Sequence, residues 1–595
     1  MTMQTRHRRT DLLAYAVLAA LAGGMYLWGI GSTGWANAFY SAAAQAGSTN
    51  WVAFFYGSSD PGNLITVDKP PASLWLMALS VRLLGLSPLA VLLPEALLGI
   101  GTVLTVYATI RLLDRPAVAF FASTTAALTP AAALIFRYNN PDALLTFLLA
   151  LTLYATVRAV RTDRAVWFAI VGITFGAGFL TKQLQAFLIL PAVIAVMFWA
   201  GKGSFLRRLR HVAVTAMFLA ASAGWWVLVV LVTPPADRPW IGGSADNNFL
   251  TLTWGYNGLG RILGGSGNGT SADGPGIDRL FVGASGQLVG WILPAALVLA
   301  ASAAALFRKS WRHPDVRVAA LVLFAGCTLS TVAGLSFMRG IYHAYYTVAL
   351  VPPLACTLAL SVSMLWGDRH RLRSRLILST VLFGSAVWAA ILLVGDQLAL
   401  APWAAVIILL GMTTAAAIMF PLRPAPFPQL LAVGAVSLLI GPLLMSLTIA
   451  GSPHAGANAG AVAPTSSDAS LTYHIDTDMR AALQTDAANY RWAAATSFGS
   501  TTAAKYQLSS GTSIMPIGGY KRSDPVPTLE QFQSLVTNGE IHWYLGNDQS
   551  RIGAWVRTHF RPRTIGTDIL YDLTAPLNAS PVASPPAPTR TGVLR

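Results

Sequence analysis

The sequence predicts a polytopic α-helical membrane protein with a small C-terminal α/β domain on the outer side. Three observations carry this. Hydrophobic residues make up 54% of the 595 residues and charged ones only 11%, with a positive mean hydropathy, a balance foreign to water-soluble globules. Apolar runs of about 20 residues, long enough to cross a bilayer as helices, recur along the chain. Near residue 451 the composition turns to Gly, Ala, Ser and Thr. The formal charge of +16 does not indicate nucleic acid, because the basic residues form short clusters between apolar runs rather than one face. Membrane lipids explain them better.

In chain order, about thirteen spans are expected. They cover 11–31, 87–112, 116–136, 141–160, 165–181, 183–200, 212–233, 287–307, 317–337, 343–366, 375–395, 402–420 and 429–450. Every second break is basic: "MQTRHRR", "RLLDR", "RAVRTDR", "KGSFLRRLRH", "FRKSWRHPDVR", "GDRHRLRSR" and the weaker "PLRPAP". The positive-inside rule assigns these, and the N-terminus, to the cytosol. The other breaks, 32–86, "RYNNPD", "TKQ", 234–286, "MRGIYH" and "GDQ", then lie outside. The first span lacks a small-residue cleavage site and is read as retained.

The expected division is a transmembrane domain over 1–450, a linker over 451–470, an extracytoplasmic α/β domain over 471–575 and a Pro/Ala/Ser-rich disordered tail over 576–595. Residues 491–520 alternate small and β-branched residues, "TLEQFQSLV" reads as a helix capped by Thr528, and "IHWYLG" reads as a strand.

Several chemistries are excluded. The two cysteines, Cys327 and Cys356, both fall in apolar spans, which leaves no disulfide framework or Cys-based metal site. No Walker loop, GxGxxG, HExxH or GxSxG occurs in a fitting context.

The polar residues near the outer face are therefore the informative ones. Asp60 lies in "GSSDPGN", an ordinary turn signal. Asp68 and Lys69 precede two prolines and an apolar helix. With Pro70 at the first helical position, Lys69 sits where the macrodipole repels a cation, so it either binds an anion or pairs with Asp68 and snorkels. In "FRYNNPD", Asn140 and Asp142 suit a helix start, while Arg137 stands against the positive-inside trend. Lys182 in "FLTKQ" and Arg339 in "FMRGIYHAYY" do the same. Interfacial tyrosines such as Tyr345 are expected in an aromatic belt. Four cations at one depth, Lys69, Arg137, Lys182 and Arg339, suggest the phosphate head of a lipid. Asp60, Asp68 and Asp142 could act as base, or hold a divalent cation such as Mg²⁺ or Mn²⁺.

At this point the sequence resembles the GT-C glycosyltransferases that use polyprenyl-phosphate sugars, especially the protein O-mannosyltransferase and lipid A aminoarabinose transferase branch. The resemblance lies in "VDKPPASLWLMALSVRLLG", "NNPDALLTFLLALTLY", "FLTKQLQAFLILP" and "HAYYTVALVPPLA", and covers residues 11 to 420. "GWANAFYSAAAQAG", "LTWGYNGLGR" and "IGGYKRSDPVPTLEQFQSLV" are similar to bacterial mannosyltransferase-like proteins with an extra outer C-terminal domain. The resemblance implies a GT-C-like fold, donor phosphate on Lys69 and first-loop carboxylates at the reaction centre. Asn37, Tyr40, Asn140, Asp142, Gln183, Arg261, His343 and Tyr345 are further site candidates. One departure is that Asn37 and Ala38 stand where such enzymes carry an early acid, and Asn is no base at neutral pH.

The expected reaction is attack of an acceptor hydroxyl on a sugar, mannose-like, whose leaving group is a polyprenyl phosphate. Asp68, or failing it Asp60, takes the proton, and Lys69, Arg137, Lys182 and Arg339 stabilise the departing phosphate. Glycan, lipid or protein could be the acceptor. Two rivals are a flippase for a lipid-linked sugar and a catalytically silent wall-binding scaffold. No internal repeat favours the first.

Overall fold

The computed structural model describes residues 3–264, 274–312, 314–396, 400–420, 427–454, 456 and 475–577. It divides into two compact units, Met1–Thr472 and Tyr473–Arg595. Most of the expected linker and nearly all of the expected tail lie outside the described residues.

The first unit is helical. Among the described residues ten helices are long and apolar enough to cross a membrane, or eleven if the bent pair Gly283–Gly290 and Leu293–Leu306 is one span. The sequence suggested about thirteen, and the difference lies in two places. Segment 116–136 breaks into Pro116–Ala127 and Pro130–Ile135, because Pro130 opens a new helix after Thr129. Segments 165–181 and 183–200 count as one unbroken helical run, Ala165–Trp199, because a 3₁₀ stretch at Gln183–Ile189 links them, although they remain the two passes expected.

That joined segment is a hairpin rather than a rod. Helix Ala165–Lys182 packs parallel to helix Phe205–Val232: Thr215 Oγ1 donates to the Phe168 carbonyl at 3.0 Å and Ser222 Oγ to the Ile173 carbonyl at 3.2 Å. Parallel neighbours in sequence order need a return path, which residues 183–199 supply. Gly172 and Gly176 permit the close approach, since a Cβ on either would fall 2.3 Å and 2.6 Å from the opposing helix.

The breaks between spans sort into two groups held by their own contacts. Arg111 pairs with Asp11 at 2.7 Å, Arg317 with Asp114 at 2.5 Å and Arg207 with Asp163 at 2.6 Å. Arg161 donates to the Leu112 carbonyl at 2.8 Å. Five of the basic breaks, including the N-terminal one, are thus tied together on one face. The intervening breaks meet at the other end. Residues 64–66 and 240–242 zip into a short parallel bridge, with Thr66 N–H donating to the Trp240 carbonyl at 2.8 Å and Trp240 N–H to the Leu64 carbonyl at 3.0 Å. Gly242 completes the contact, because any Cβ there would stand 2.2 Å from the Thr66 carbonyl oxygen. The first and second large loops therefore form one composite surface.

The second unit holds a five-stranded sheet of β1 Trp492–Thr496, β2 Ile514–Pro516, β3 Ile541–Leu545, β4 Phe560–Ile565 and β5 Asp568–Pro576. The spatial order is β2-β1-β3-β5-β4, with β1 parallel to β2 and β3 and the β5 pairings antiparallel. All five residues of β1 and of β3 are buried, as parallel strands covered on both faces require. Region 491–520, read as alternating, is strand, helix Gly499–Ser510, then strand. Its Ala and Ser residues suit both states, so the pattern could not separate them. Thr528 caps helix Leu529–Thr537 in a full capping box with Gln531.

Candidate active site

The prolines set the site. Gly57 turns back under Pro71 with φ 73°, and a Cβ there would press on Pro71 at 3.1 Å. Val67 N–H donates to the Gly57 carbonyl at 2.9 Å. The following helix runs Ala72–Leu84 with Pro71 at its N-cap, so Lys69 lies two residues before the cap. This corrects the expected placement at the first turn: two consecutive prolines delay the first helical hydrogen bond, from Trp75 N–H to the Pro71 carbonyl, 3.0 Å. The dipole argument for Lys69 weakens accordingly, and its side-chain contacts decide its role.

Lys69 Nζ pairs with Asp68 Oδ2 at 2.8 Å and donates to Asn257 Oδ1 at 3.0 Å, with 9% of its side chain exposed. Asn257 Nδ2 in turn donates to the Asp68 carbonyl at 2.8 Å. The Tyr256 ring lies beneath both Lys69, 5.6 Å away, and the Arg261 guanidinium, 4.7 Å away. Burial lowers the Lys69 pKa despite its Asp68 partner, and the Arg261 charge lowers it further.

Lys182 pairs with the fully buried Asp142 and lies 3.9 Å above the Tyr346 ring and 5.7 Å from that of Tyr345. Arg261 Nη1 donates to the Ile341 carbonyl at 3.0 Å and to Tyr346 Oη at 3.2 Å. Among the described residues it meets no carboxylate. His343 stacks on Tyr345 with centroids 5.1 Å apart. Burial first, and then the charges of Arg261, Lys182 and Lys69, lower its pKa to about 3. Tyr346, which accepts from Arg261 and lies beneath Lys182, and Tyr256, beneath Lys69 and Arg261, join the separate loops into one cluster. Among the described residues the cluster holds three cations, Lys69, Lys182 and Arg261; the lysines are ion-paired to Asp68 and Asp142, and Asp68 also acts on Arg261 from beyond ion-pair distance.

Other expected site residues are used differently. Arg137, expected on the donor phosphate, is buried and donates to the carbonyls of Met25, Tyr26, Trp28 and Ala450 at 2.6–3.2 Å. It satisfies the orphan carbonyls at the ends of the first and last membrane helices, which explains a cation against the charge trend. Arg339 is exposed; its backbone N–H bonds the Ile262 carbonyl at 3.1 Å, and its side chain joins no ion pair among the described residues. Arg261, rather than Arg339, stands beside Lys69 and Lys182, through the rings of Tyr256 and Tyr346. Asp60 is fully buried, and its carboxylate accepts the Leu64 N–H at 3.2 Å, closing its own turn.

Asn37 caps helix Ala38–Thr49 through Phe39 N–H and is clamped by Asn139 at 2.8 Å. Asn140 caps helix Pro141–Thr162. Tyr40 packs with Phe39, Val67 and Leu74. Gln183, with φ 48° at the hairpin bend, donates to Thr253 Oγ1 at 2.8 Å. Sequence reasoning missed Asn257 and Tyr256, although they lie in the quoted "LTWGYNGLGR". It also missed Glu95, buried in helix Pro88–Arg111 with Oε2 lacking a hydrogen-bond partner. Among the described residues no three His, Cys, Asp or Glu side chains group as metal ligands, and the site carboxylates are already held by lysines or backbone.

Comparison with known proteins bears on this arrangement. A family profile described as "Dolichyl-phosphate-mannose-protein mannosyltransferase" matches residues 68–226, beginning at Asp68. A second, "Putative mannosyltransferase YkcB-like, C-terminal", matches residues 479–559. Two relatives from Bacillus subtilis (strain 168) match almost end to end. "Putative mannosyltransferase YycA" is 25% identical over 93% of this chain and 94% of its own length. "Putative mannosyltransferase YkcB" is 26% identical over 93% and 91%. Among solved structures, ArnT from Cupriavidus metallidurans in the apo state superposes with a TM-score of 0.53 at 15% identity, covering 94% of this chain and 97% of that one. The apo oligosaccharyltransferase of Archaeoglobus fulgidus gives 0.51 at 12% identity, over 90% and 69%. The first unit thus shares the fold of these membrane proteins, the second is matched by a family profile of its own, and the chain is similar along almost its whole length to relatives described as mannosyltransferases.

Proposed function

We propose that this protein transfers a sugar, mannose or a close analogue, from a polyprenyl-phosphate donor to an acceptor hydroxyl at the outer face of the cytoplasmic membrane. The observation that carries the reading is a buried-site guanidinium with no ion pair of its own among the described residues. Lys69 and Lys182 each have a carboxylate partner, whereas Arg261 spends its donors on a carbonyl and a phenol. A phosphate entering between Tyr256 and Tyr346 supplies that ion pair, and a planar guanidinium grips it with two donors. The fold neighbour ArnT is described bound to undecaprenyl phosphate, which supports a donor lipid of that class.

In this mechanism the acceptor oxygen attacks the anomeric carbon, the bond to the phosphate oxygen breaks, and Lys69 and Arg261 stabilise the charge that develops on the leaving phosphate. Asp68 takes the hydroxyl proton. Its pairing with Lys69 keeps it ionised, and a donor phosphate that draws Lys69 toward itself frees the carboxylate as substrate binds. Asp60 stays with its turn.

The outer placement rests on the two groups of breaks, of which the basic one belongs in the cytosol. Purified protein in nanodiscs, given a labelled polyprenyl-phosphate sugar and an envelope extract as acceptor, should transfer label. Donor translocation without transfer would favour a flippase, and neither activity a scaffold.

A further inference from the structure

The second unit contains a cavity that the transfer site does not use. It is about 520 Å³, within the usual range of small-molecule sites. Its floor is apolar, with buried Phe560, Ile541 and Leu573. Half-buried Tyr490 and Trp555 form its walls, and exposed Thr537, His559 and Thr574 form its mouth. Trp555 is fixed edge-on by Phe532 and Phe560, with centroids 6.0 and 5.5 Å apart. Tyr490 is held by stacking on His542 at 4.5 Å. The His559 Nδ1 is engaged with the Trp555 carbonyl at 2.8 Å. The wall rings are thus preorganised, and binding need not order them.

The lining contains no Lys, Arg, Asp or Glu, although the chain carries a formal charge of +16. An anionic ligand would find its counter-charges elsewhere on this protein. At the mouth the Thr537 hydroxyl donates to the Gln533 carbonyl at 2.9 Å and the Thr574 hydroxyl to the Asp572 carboxylate at 2.6 Å, so both oxygens face a ligand as acceptors, which a prenyl or acyl chain would leave unused. A sugar ring matches what is present, since it offers an apolar C–H face to aromatic walls and hydroxyls to a polar rim.

We infer that this cavity binds a neutral glycan, two or more pyranose rings long, and so presents acceptor or product to the enzyme. The inference rests on the proposed sugar transfer and names its acceptor class. The test is calorimetry on the full chain in nanodiscs with α-linked mannotetraose and β-linked glucotetraose. At least one should bind saturably. Thr537→Arg, an exposed change at the mouth, should weaken binding at least about tenfold without lowering the unfolding temperature. Trp555→Ala should abolish binding, and if that variant is destabilised the Thr537→Arg result decides. Binding of neither tetrasaccharide, or undiminished binding to Thr537→Arg, overturns the inference. So does a sulfated oligosaccharide or a proline hexapeptide that binds the cavity more tightly. Lys69→Ala separates the two readings: transfer should vanish while tetrasaccharide binding persists. Transfer by wild type without tetrasaccharide binding sinks only the cavity, whereas transfer by Lys69→Ala sinks the proposed function.

Discussion

Lys69→Met removes one charge and little volume from the centre of the site. In the free protein Lys69 holds Asp68 at 2.8 Å and Asn257 at 3.0 Å, with 9% and 11% exposure of the paired side chains. In the donor complex it contributes one charge-assisted bond to phosphate, worth about 1.5–3 kcal/mol. At 1.4 kcal/mol per decade this is roughly a 10- to 150-fold loss of donor affinity. The loss in turnover should be larger, because charge on the phosphate grows toward the transition state. Asp68 is also left without its ion-pair partner, so some stability goes too; the double variant Asp68→Asn with Lys69→Met removes that penalty and should restore the unfolding temperature but not transfer. The assay is donor binding and single-turnover transfer of labelled sugar in nanodiscs, with thermal unfolding alongside. Donor affinity and transfer rate within twofold of wild type would refute the reasoning and make Lys69 a structural partner of Asp68.

Asp68→Asn should collapse turnover while sparing donor binding, and Asp60→Asn should mainly loosen the 60–64 turn; the reverse ranking in single-turnover rates would transfer the role of base to Asp60. Arg137→Leu should cost more than about 3 kcal/mol, since at least two charge-assisted bonds of about 1.5–3 kcal/mol are lost, and at permissive temperature donor affinity should be unchanged; a selective affinity loss would return Arg137 to the phosphate site. Burial lowers the Lys69 pKa, and the protonated amine is the form that binds phosphate, so donor affinity should fall as pH rises through a value below that of ordinary lysine. Lys69→Arg should push that limb to higher pH, and an unmoved limb would assign it to another group. A phosphatase fused after Gly451 should be active outside the cell; activity confined to the cytosol would put the proposed site on the wrong face.

The membrane fold was legible because hydrophobic length is a one-dimensional signal. Where it misled, continuity was at stake: nothing in apolar length says that Pro130 divides a run. The break at 182 was legible, and the chain does turn back there, with Gln183 at φ 48°. For the site, charges opposing the topological trend were the useful signal, and Lys69 and Lys182 reached the cluster that way. The same signal included Arg137, because a guanidinium serving four carbonyls and one set among other cations look alike in sequence. It ranked Arg339 above Arg261, whereas Arg261 is the one beside Tyr256 and Tyr346, because the bridge between residues 64–66 and 240–242 that joins the two loops uses backbone atoms, which carry no residue signature. Asn257 was missed for the same reason.

Arg137 also dictates an order of assembly. Its carbonyl partners include Trp28 near the start of the chain and Ala450 at the end of the last membrane helix, and the Ser446 hydroxyl reaches back to the Leu128 carbonyl at 2.9 Å. A ribosome delivers residue 450 long after residue 137, and earlier segments begin to fold first. Until that last helix arrives, a cation within the bundle lacks one of its acceptors and the nearby helix ends stay loosely held. The buried arginine therefore ties completion of the bundle to arrival of residues 446–450: a chain that stops before them leaves this lock open.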